Sequence, residues 1–370
     1  MSETTASSSD VRVTTDASSG ESLADQALDV PTVLAFDGGN SKTDILLVRA
    51  DGQILGSARS APFQPYLAGD AGALAALEPQ VHELLQRAGL SRATHAAASL
   101  ANADRPEEER AFEAAIVERG WAVSATVVND TLAVLRAGTT DGIGVAVVCG
   151  AGINAIGVDD SDGVVRFPAL GPLTGDWGGG QGLAQQVMWW SVRSEDGRGP
   201  ATALADAAAA HLGFGTATEC ALAFHSGLLR DEQMHELVPL LFAVAESGDE
   251  VAKDIISRQA DEIVTLVRVC VERLSFATES IPVVLGGGVL AADQPLLIEA
   301  VVTGLLQVSP RCAPQVLHAP PVMGAAVQGL DFLTGSRGLG PVGRESASPA
   351  GEAMLRSAFP ATTSPTAGPD

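Results

Sequence analysis

Apolar runs separated by polar, glycine-marked breaks sort most of the chain into short strands and amphipathic helices. Residues 33–36, 44–50 and 53–58 read as three successive strands, the last two joined by the turn dipeptide Asp51-Gly52. The pattern then predicts a helix over 71–88, a strand over 94–100 and a helix over 106–119. A strand over 126–128 runs into Asn129-Asp130 and a further helix from Thr131. The order is β-β-β-α-β-α-β-α.

The second half begins the same way. A strand over 143–149, a glycine-containing turn, a strand over 155–158, the turn Asp160-Ser161-Asp162-Gly163 and a strand over 164–167 repeat the opening meander. A helical region follows. Within it, over 251–276, Ile255, Ile256, Ile263, Val267, Val271 and Leu274 mostly keep i, i+3, i+4 spacing. A strand over 283–285, Gly286-Gly287-Gly288 and a helix come last. A three-strand meander opened by a glycine turn thus occurs twice, which predicts an α/β fold of two related domains facing each other across a cleft. The 370 residues leave room for two domains and little more.

Composition narrows the picture. Hydrophobic residues are 46% of the chain but aromatics only 4%, so Ala, Val and Leu must fill the core. Residues 1–30 carry six acids and one base, Arg12, and are expected to form a disordered acidic tail. Residues 336–370, rich in Gly, Ser, Pro and Thr, are expected to be a second disordered tail. The net charge of −23, with no basic block to offset it, argues against nucleic acid and anionic membranes as partners. It does not exclude an anionic small ligand, because backbone N–H groups and one Lys can hold phosphate locally. No run approaches the roughly 18 apolar residues of a membrane helix. The first 20 residues have neither a basic start nor an apolar stretch, so a cytoplasmic protein is expected. Cys149, Cys220, Cys270 and Cys312 lie far apart and read as reduced, and the six histidines show no zinc spacing.

Three glycine turns carry the candidate chemistry. The first is Asp37-Gly38-Gly39-Asn40-Ser41-Lys42-Thr43. Its glycines fit neither a Walker A nor a dinucleotide fingerprint, and a strand follows it instead of a helix. It is either an ordinary tight hairpin or a turn whose amides, with Ser41, Lys42 and Thr43, face phosphate oxygens. Asp37 at the strand end could then hold Mg²⁺ through water. The second turn, Gly150-Ala151-Gly152-Ile153-Asn154, leaves the same two readings open. The third, Gly286-Gly287-Gly288, either packs a strand closely on a helix or admits the flat face of a purine. Asp130 is either a helix N-cap or a general base.

Together and in this order, the three turns resemble the phosphate-1, phosphate-2 and adenosine motifs of the actin-like ATPase and sugar-kinase superfamily. Val127-Val128-Asn129-Asp130, Cys149-Gly150-Ala151-Gly152-Ile153-Asn154 and Gly171-Pro172-Leu173-Thr174-Gly175-Asp176-Trp177-Gly178 extend the likeness. Within the superfamily the chain resembles the BadF/BadG/BcrA/BcrD ATPase group and its N-acetylglucosamine kinases, over about residues 33–333. The resemblance implies two ribonuclease-H-like domains, with ATP and Mg²⁺ at the hinge and a sugar deeper in the cleft. Domains over 31–128 and 129–321 are expected, the first completed by a helix near 322–334.

The resemblance also implies residue roles. Asp130 matches the catalytic base, and Gly38 to Thr43, Gly150 to Gly152 and Gly286 to Gly288 match the ATP-binding loops. Asn154 and Asp176 match positions that hold sugar hydroxyls, with Asn129 beside the base. Gln64 and Tyr66 stand where the N-acetylglucosamine kinases place an asparagine and an aromatic. Trp177 stands where an acidic residue is common, and either stacks on the sugar or anchors the core. The implied activity is ATP-dependent phosphorylation of an amino sugar at its 6-hydroxyl, N-acetylglucosamine first and glucosamine next. Members of the group often pair, so a homodimer is an expectation. The group also contains ATPase activators of 2-hydroxyacyl-CoA dehydratases and benzoyl-CoA reductases, which share a cysteine-held cluster between subunits. The four cysteines here lack that local pattern.

Overall fold

The computed structural model describes residues 30–335 and 349–359. The acidic tail expected over 1–30 therefore lies outside the described residues except for Val30, as do 336–348 and 360–370 of the expected C-terminal tail.

The chain opens with β1 (Thr32–Gly38), β2 (Thr43–Arg49) and β3 (Ile54–Ser60), paired as an antiparallel meander. Two helices follow, α1 (Pro65–Ala75) and α2 (Glu78–Arg87), where the periodicity predicted one helix over 71–88. Pro79 is the reason: a proline inside a helix removes a ladder hydrogen bond, whereas in the first turn of α2 it costs none. Next come β4 (Ala93–Leu100), α3 (Pro106–Glu118), β5 (Ala122–Asn129) and α4 (Asp130–Gly138). β4 and β5 join β1 in parallel, giving a sheet of order β3-β2-β1-β4-β5.

The second sheet repeats this plan. β6 (Gly144–Cys149), β7 (Ile153–Val158) and β8 (Val164–Arg166) form the meander. The helices α5 (Gly179–Glu195), α6 (Leu204–Leu212), α7 (Ala217–His225), α8 (Asp231–Met234), α9 (Leu237–Glu246) and α10 (Glu250–Arg273) intervene before β9 (Ile281–Gly286). Then come α11 (Gly288–Ala291), α12 (Pro295–Val308), β10 (Cys312–Val316) and α13 (Pro321–Leu333). β9 pairs parallel with β6, and β10 with β9, so this sheet runs β10-β9-β6-β7-β8. The strand β10, which carries a proline and the polar Gln315 in five residues, has no clear alternation to announce it.

Two helices lie between the sheets. Leu132 to Leu135 of α4 and Val322 to Val327 of α13 are buried in one cluster with Val33 and Val48 of the first sheet and Ala146 and Val284 of the second. The outer faces have separate cores, one with Phe36, Phe63, Phe112 and Trp121, the other around α5, α9 and α10. In the stretch expected to be a disordered tail, α14 (Pro349–Ser357) is a helix with Leu355 fully buried in the shared cluster. Two apolar contacts, Leu355 and the partly buried Phe359, reinforced by ion pairs to residues far away in sequence, are too sparse a signal for composition to show. Among the described residues no helix is long and apolar enough to cross a membrane.

Candidate active site

The parallel strands of both sheets end at one cleft of about 810 Å³, within the range of about 300–1,000 Å³ usual for small-molecule sites. From the first sheet, β1 delivers Asp37 and the turn that follows delivers Gly39, Asn40, Ser41 and Lys42. The hairpin is closed by Gly39 N–H donating to Lys42 O at 2.9 Å. It is pinned from outside by Phe63 N–H to Gly39 O at 2.9 Å, Gln64 Nε2 to Asn40 O at 2.8 Å and Asn102 Nδ2 to Asn40 Oδ1 at 3.0 Å. Gln64 thus holds the loop and does not line the cleft. Thr43 is fully buried, its hydroxyl donating to Ala61 O at 2.8 Å, and Gly38 belongs to β1. The Lys42 ammonium is paired with Asp44, which also accepts from Arg59 at 2.7 Å.

From the second sheet, the β6–β7 hairpin presents Gly150, Ala151 and Gly152. The start of α5 holds it: Gly180 N–H donates to Gly150 O at 2.7 Å and Gln181 N–H to Ala151 O at 2.9 Å, while Gly150 N–H donates to Gly152 O at 3.0 Å. All three carbonyl oxygens are thereby engaged within the protein, which relieves their repulsion toward an anion in the cleft. Gly179 makes this docking sterically feasible. Its φ is +70°, and a Cβ there would sit 2.5 Å from the Gly152 backbone. Gly286 ends β9, and Gly287 and Gly288 line the cleft, Gly287 against the Cys149 backbone.

Asp130 lines the cleft as the first residue of α4. The cap is Asn129, whose Oδ1 accepts from Thr131 N–H at 3.1 Å and from the Thr131 hydroxyl at 2.6 Å. Its Nδ2 donates to Asp104 Oδ1 at 2.8 Å. Asn129 therefore spends its amide on structure and is the helix cap, while the Asp130 carboxylate faces the cleft and keeps short-range backbone hydrogen bonds at the helix head, from the Thr131 and Asp130 amides.

Burial pushes the Asp130 carboxyl up to about 6, with Asp104 adding to the effect. Asp37 is pushed up to about 7, first by burial and then by the charges of Asp130 and Asp44, with Lys42 opposing. Asp104 is pushed up to about 6 by burial, against the pull of Arg166. Three carboxylates therefore share one poorly solvated corner. Such a hard oxygen donor set, with one acid at a strand end, fits a Mg²⁺ that keeps most of its waters. Among the described residues no cluster of three or more Asp, Glu, His or Cys is spaced to hold a metal directly, so ligation through water is the form that fits.

Asn154 lines the cleft from β7, with Oδ1 turned onto the Ala155 N–H at 2.7 Å. Asp176 does not line it, and accepts from the Thr174 hydroxyl at 2.7 Å in the loop before α5. Trp177 packs on the core of the second sheet with the Arg258 guanidinium 4.1 Å from its ring centre, so of its two readings the anchor is the one observed. Tyr66 is exposed.

Sequence reading missed several lining residues. Asn102, in the left-handed region at φ 65°, and Asp104 follow the end of β4 as Asp130 follows β5; the ends of parallel strands are where sites gather. His235 and Phe242 come from the long helical insertion, and His318 from the loop after β10. Nothing local in sequence marks these three.

A duplicated five-stranded fold, with glycine hairpins of both halves meeting strand-end carboxylates in the intervening cleft, is the architecture of the actin-like ATPases and sugar kinases. The chain belongs to the BadF/BadG/BcrA/BcrD ATPase family, whose pattern matches residues 35–329. It is 23% identical over 268 residues to an N-acetyl-D-glucosamine kinase of Dictyostelium discoideum, covering 69% of this chain and 84% of that one. It is 25% identical over 260 residues to an N-acetylmuramic acid/N-acetylglucosamine kinase of Clostridium acetobutylicum, covering 70% and 85%. The crystal structure of a candidate N-acetylglucosamine kinase from Chromobacterium violaceum superposes with a TM-score of 0.64 at 19% identity, over 80% of this chain and 98% of that one.

Proposed function

We propose that the protein is an ATP-dependent sugar kinase that transfers the γ-phosphoryl group to the 6-hydroxyl of an amino sugar, N-acetylglucosamine before glucosamine. The observation that carries this is Asp130: a carboxylate pushed up to about 6, next to the capping Asn129, in a cleft shared with two glycine hairpins. The curated relatives named as N-acetylglucosamine kinases support the substrate class.

In-line phosphoryl transfer needs positioning and charge neutralisation more than covalent help. Asp130 accepts the proton of the sugar hydroxyl as it attacks. The hairpin amides other than those of Gly39 and Gly150, which are bonded to Lys42 O and Gly152 O, hold the phosphates, and Asn154 orients the sugar. Asn102 and Gln64 keep the first hairpin in place. Asp37 would hold Mg²⁺ through water, and the bound ion supplies the positive charge that the β- and γ-phosphates require. Asp176, away from the cleft wall, reaches the sugar only if its loop moves inward as the domains close.

Domains over 31–128 with 322–334, and over 129–321, go with this proposal, as do a cytoplasmic location and a homodimer. The activator alternative finds no supporting observation: Cys149, Cys220, Cys270 and Cys312 are all buried, so none is placed to share a cluster with a second subunit. A coupled assay with MgATP and a panel of hexoses and hexosamines tests the proposal. Phosphorylation of N-acetylglucosamine, with the product shown to be the 6-phosphate, is expected; no turnover on any hexosamine would overturn it.

A further inference from the structure

The C-terminal helix α14 lies beyond the family match, which ends at residue 329. It is nevertheless tied into the centre of the molecule. Glu352 is buried and receives both terminal nitrogens of Arg136, a residue of α4, at 2.9 Å each. Arg136 also donates to Asp331 of α13 at 3.2 Å and to Thr139 O at 2.9 Å. One guanidinium thus links α4, α13 and α14.

Arg356, one turn after Glu352, reaches the other way. It donates to Glu352 at 2.7 Å, to Ala137 O at 2.7 Å, to Arg136 O at 2.9 Å and to Thr139 O at 2.8 Å. The last carbonyls of a helix have no partner inside it. Arg356 supplies donors for those of α4 and puts a positive charge at the negative end of its dipole. Leu355 inserts into the cluster between the two sheets, and the Gly351 carbonyl meets the β2–β3 turn at Gly52.

The other end of α4 carries Asp130. At about 1.5 Å per residue, only about 12 Å of rigid helix separates Asp130 from the carbonyls that Arg356 holds. A short rod, buried along residues 131 to 137, transmits a shift at one end to the other. We propose that α14 is a clamp on α4, and that Arg356 and Arg136 are positioning residues for Asp130. The role assigned to Asp130 rests on the kinase proposal above; the clamp itself does not.

The test uses the full chain with Arg356→Ala, a variant at a side chain partly open to solvent, and Arg356→Lys as the conservative partner. Hydrogen exchange of the amides of residues 131–137 reads the clamp without any assay of activity. For Arg356→Ala, exchange there is expected to quicken at least about fivefold, while strands β1 and β6 keep wild-type protection. The kcat is expected to fall roughly five- to twentyfold with the KM for ATP within about twofold, because the base is displaced and the phosphate loops are untouched. Arg356→Lys should recover part of both. Wild-type exchange over 131–137 in Arg356→Ala, or faster exchange spread evenly over both sheets, overturns the clamp. Faster local exchange with unchanged kcat overturns the positioning role. A wild-type chain that phosphorylates no sugar removes the kinase proposal, and the exchange result still decides the clamp.

Discussion

Asn129 joins Asp104 through a 2.8 Å side-chain hydrogen bond while its side-chain carbonyl oxygen caps α4, and Asp130 lines the cleft at the head of the same helix. Adjacent residues at a strand end have divided the work: one holds the backbone, the other faces the cleft. Asp130→Asn should therefore keep the fold and the affinity for ATP while lowering kcat roughly 10²–10⁴-fold, the usual weight of a general base. Steady-state kinetics beside a nucleotide-binding titration measure it. A loss under tenfold would remove the base role.

Asn129→Ala separates the two duties. Losing the cap should cost about 1 kcal/mol of stability, and Asp104 loses its partner as well. Thermal unfolding measures the first effect. The second should appear as a fall in kcat without a change in KM for ATP; an unaltered kcat would mean that Asp104 does not need Asn129.

The pH profile follows from the same corner. With the Asp130 carboxyl at about 6, the base is protonated below that pH and cannot accept a proton. The kcat of the kinase should rise as pH climbs through about 6 and then level. A profile flat from pH 5 to 8 would contradict it.

Stability should run the opposite way. Asp37, Asp104 and Asp130 hold their protons in the folded state to about 7, 6 and 6, against about 3.8 in the unfolded chain. Between pH 4 and 7 the folded state binds more protons, so stability is greatest at the acid end of that window and is lost as pH rises through the folded values. Asp37→Asn should then raise stability at pH 8 by about 0.5–2 kcal/mol while impairing turnover. A lower melting temperature for this variant at pH 8 would refute the effect.

Gly179→Ala tests how the second hairpin is held. A left-handed φ and a Cβ 2.5 Å from Gly152 leave no room for a side chain, so the hairpin must shift. The KM for ATP should rise several-fold, with kcat less affected; isothermal titration of an ATP analogue gives the same comparison without turnover.

Much of the fold was legible because short apolar runs and glycine turns recur in the same order in both halves. The break at Pro79 is local too, since a proline within a helical period ends or restarts the helix there. The three glycine turns and Asp130, which the structure brings to one cleft, are legible because strand-end turns are local and their residue types are restricted by backbone geometry. Gln64 and Thr43 illustrate the limit. Both side chains are spent inside the protein, on Asn40 O and Ala61 O, and hydrogen-bond partners 24 and 18 residues away cannot be read from a motif.

The sequence by itself determined the two related halves, the hairpins and the acid at the head of α4, since each depends on neighbours within a few residues. Only the tertiary structure decided that Asn129 is the cap, that His235 and Phe242 close the cleft, and that a helix expected in neither tail nor domain grips α4. Those outcomes depend on contacts such as Arg136 to Glu352, 216 residues apart, which exist only once the chain has packed and water has been excluded around them.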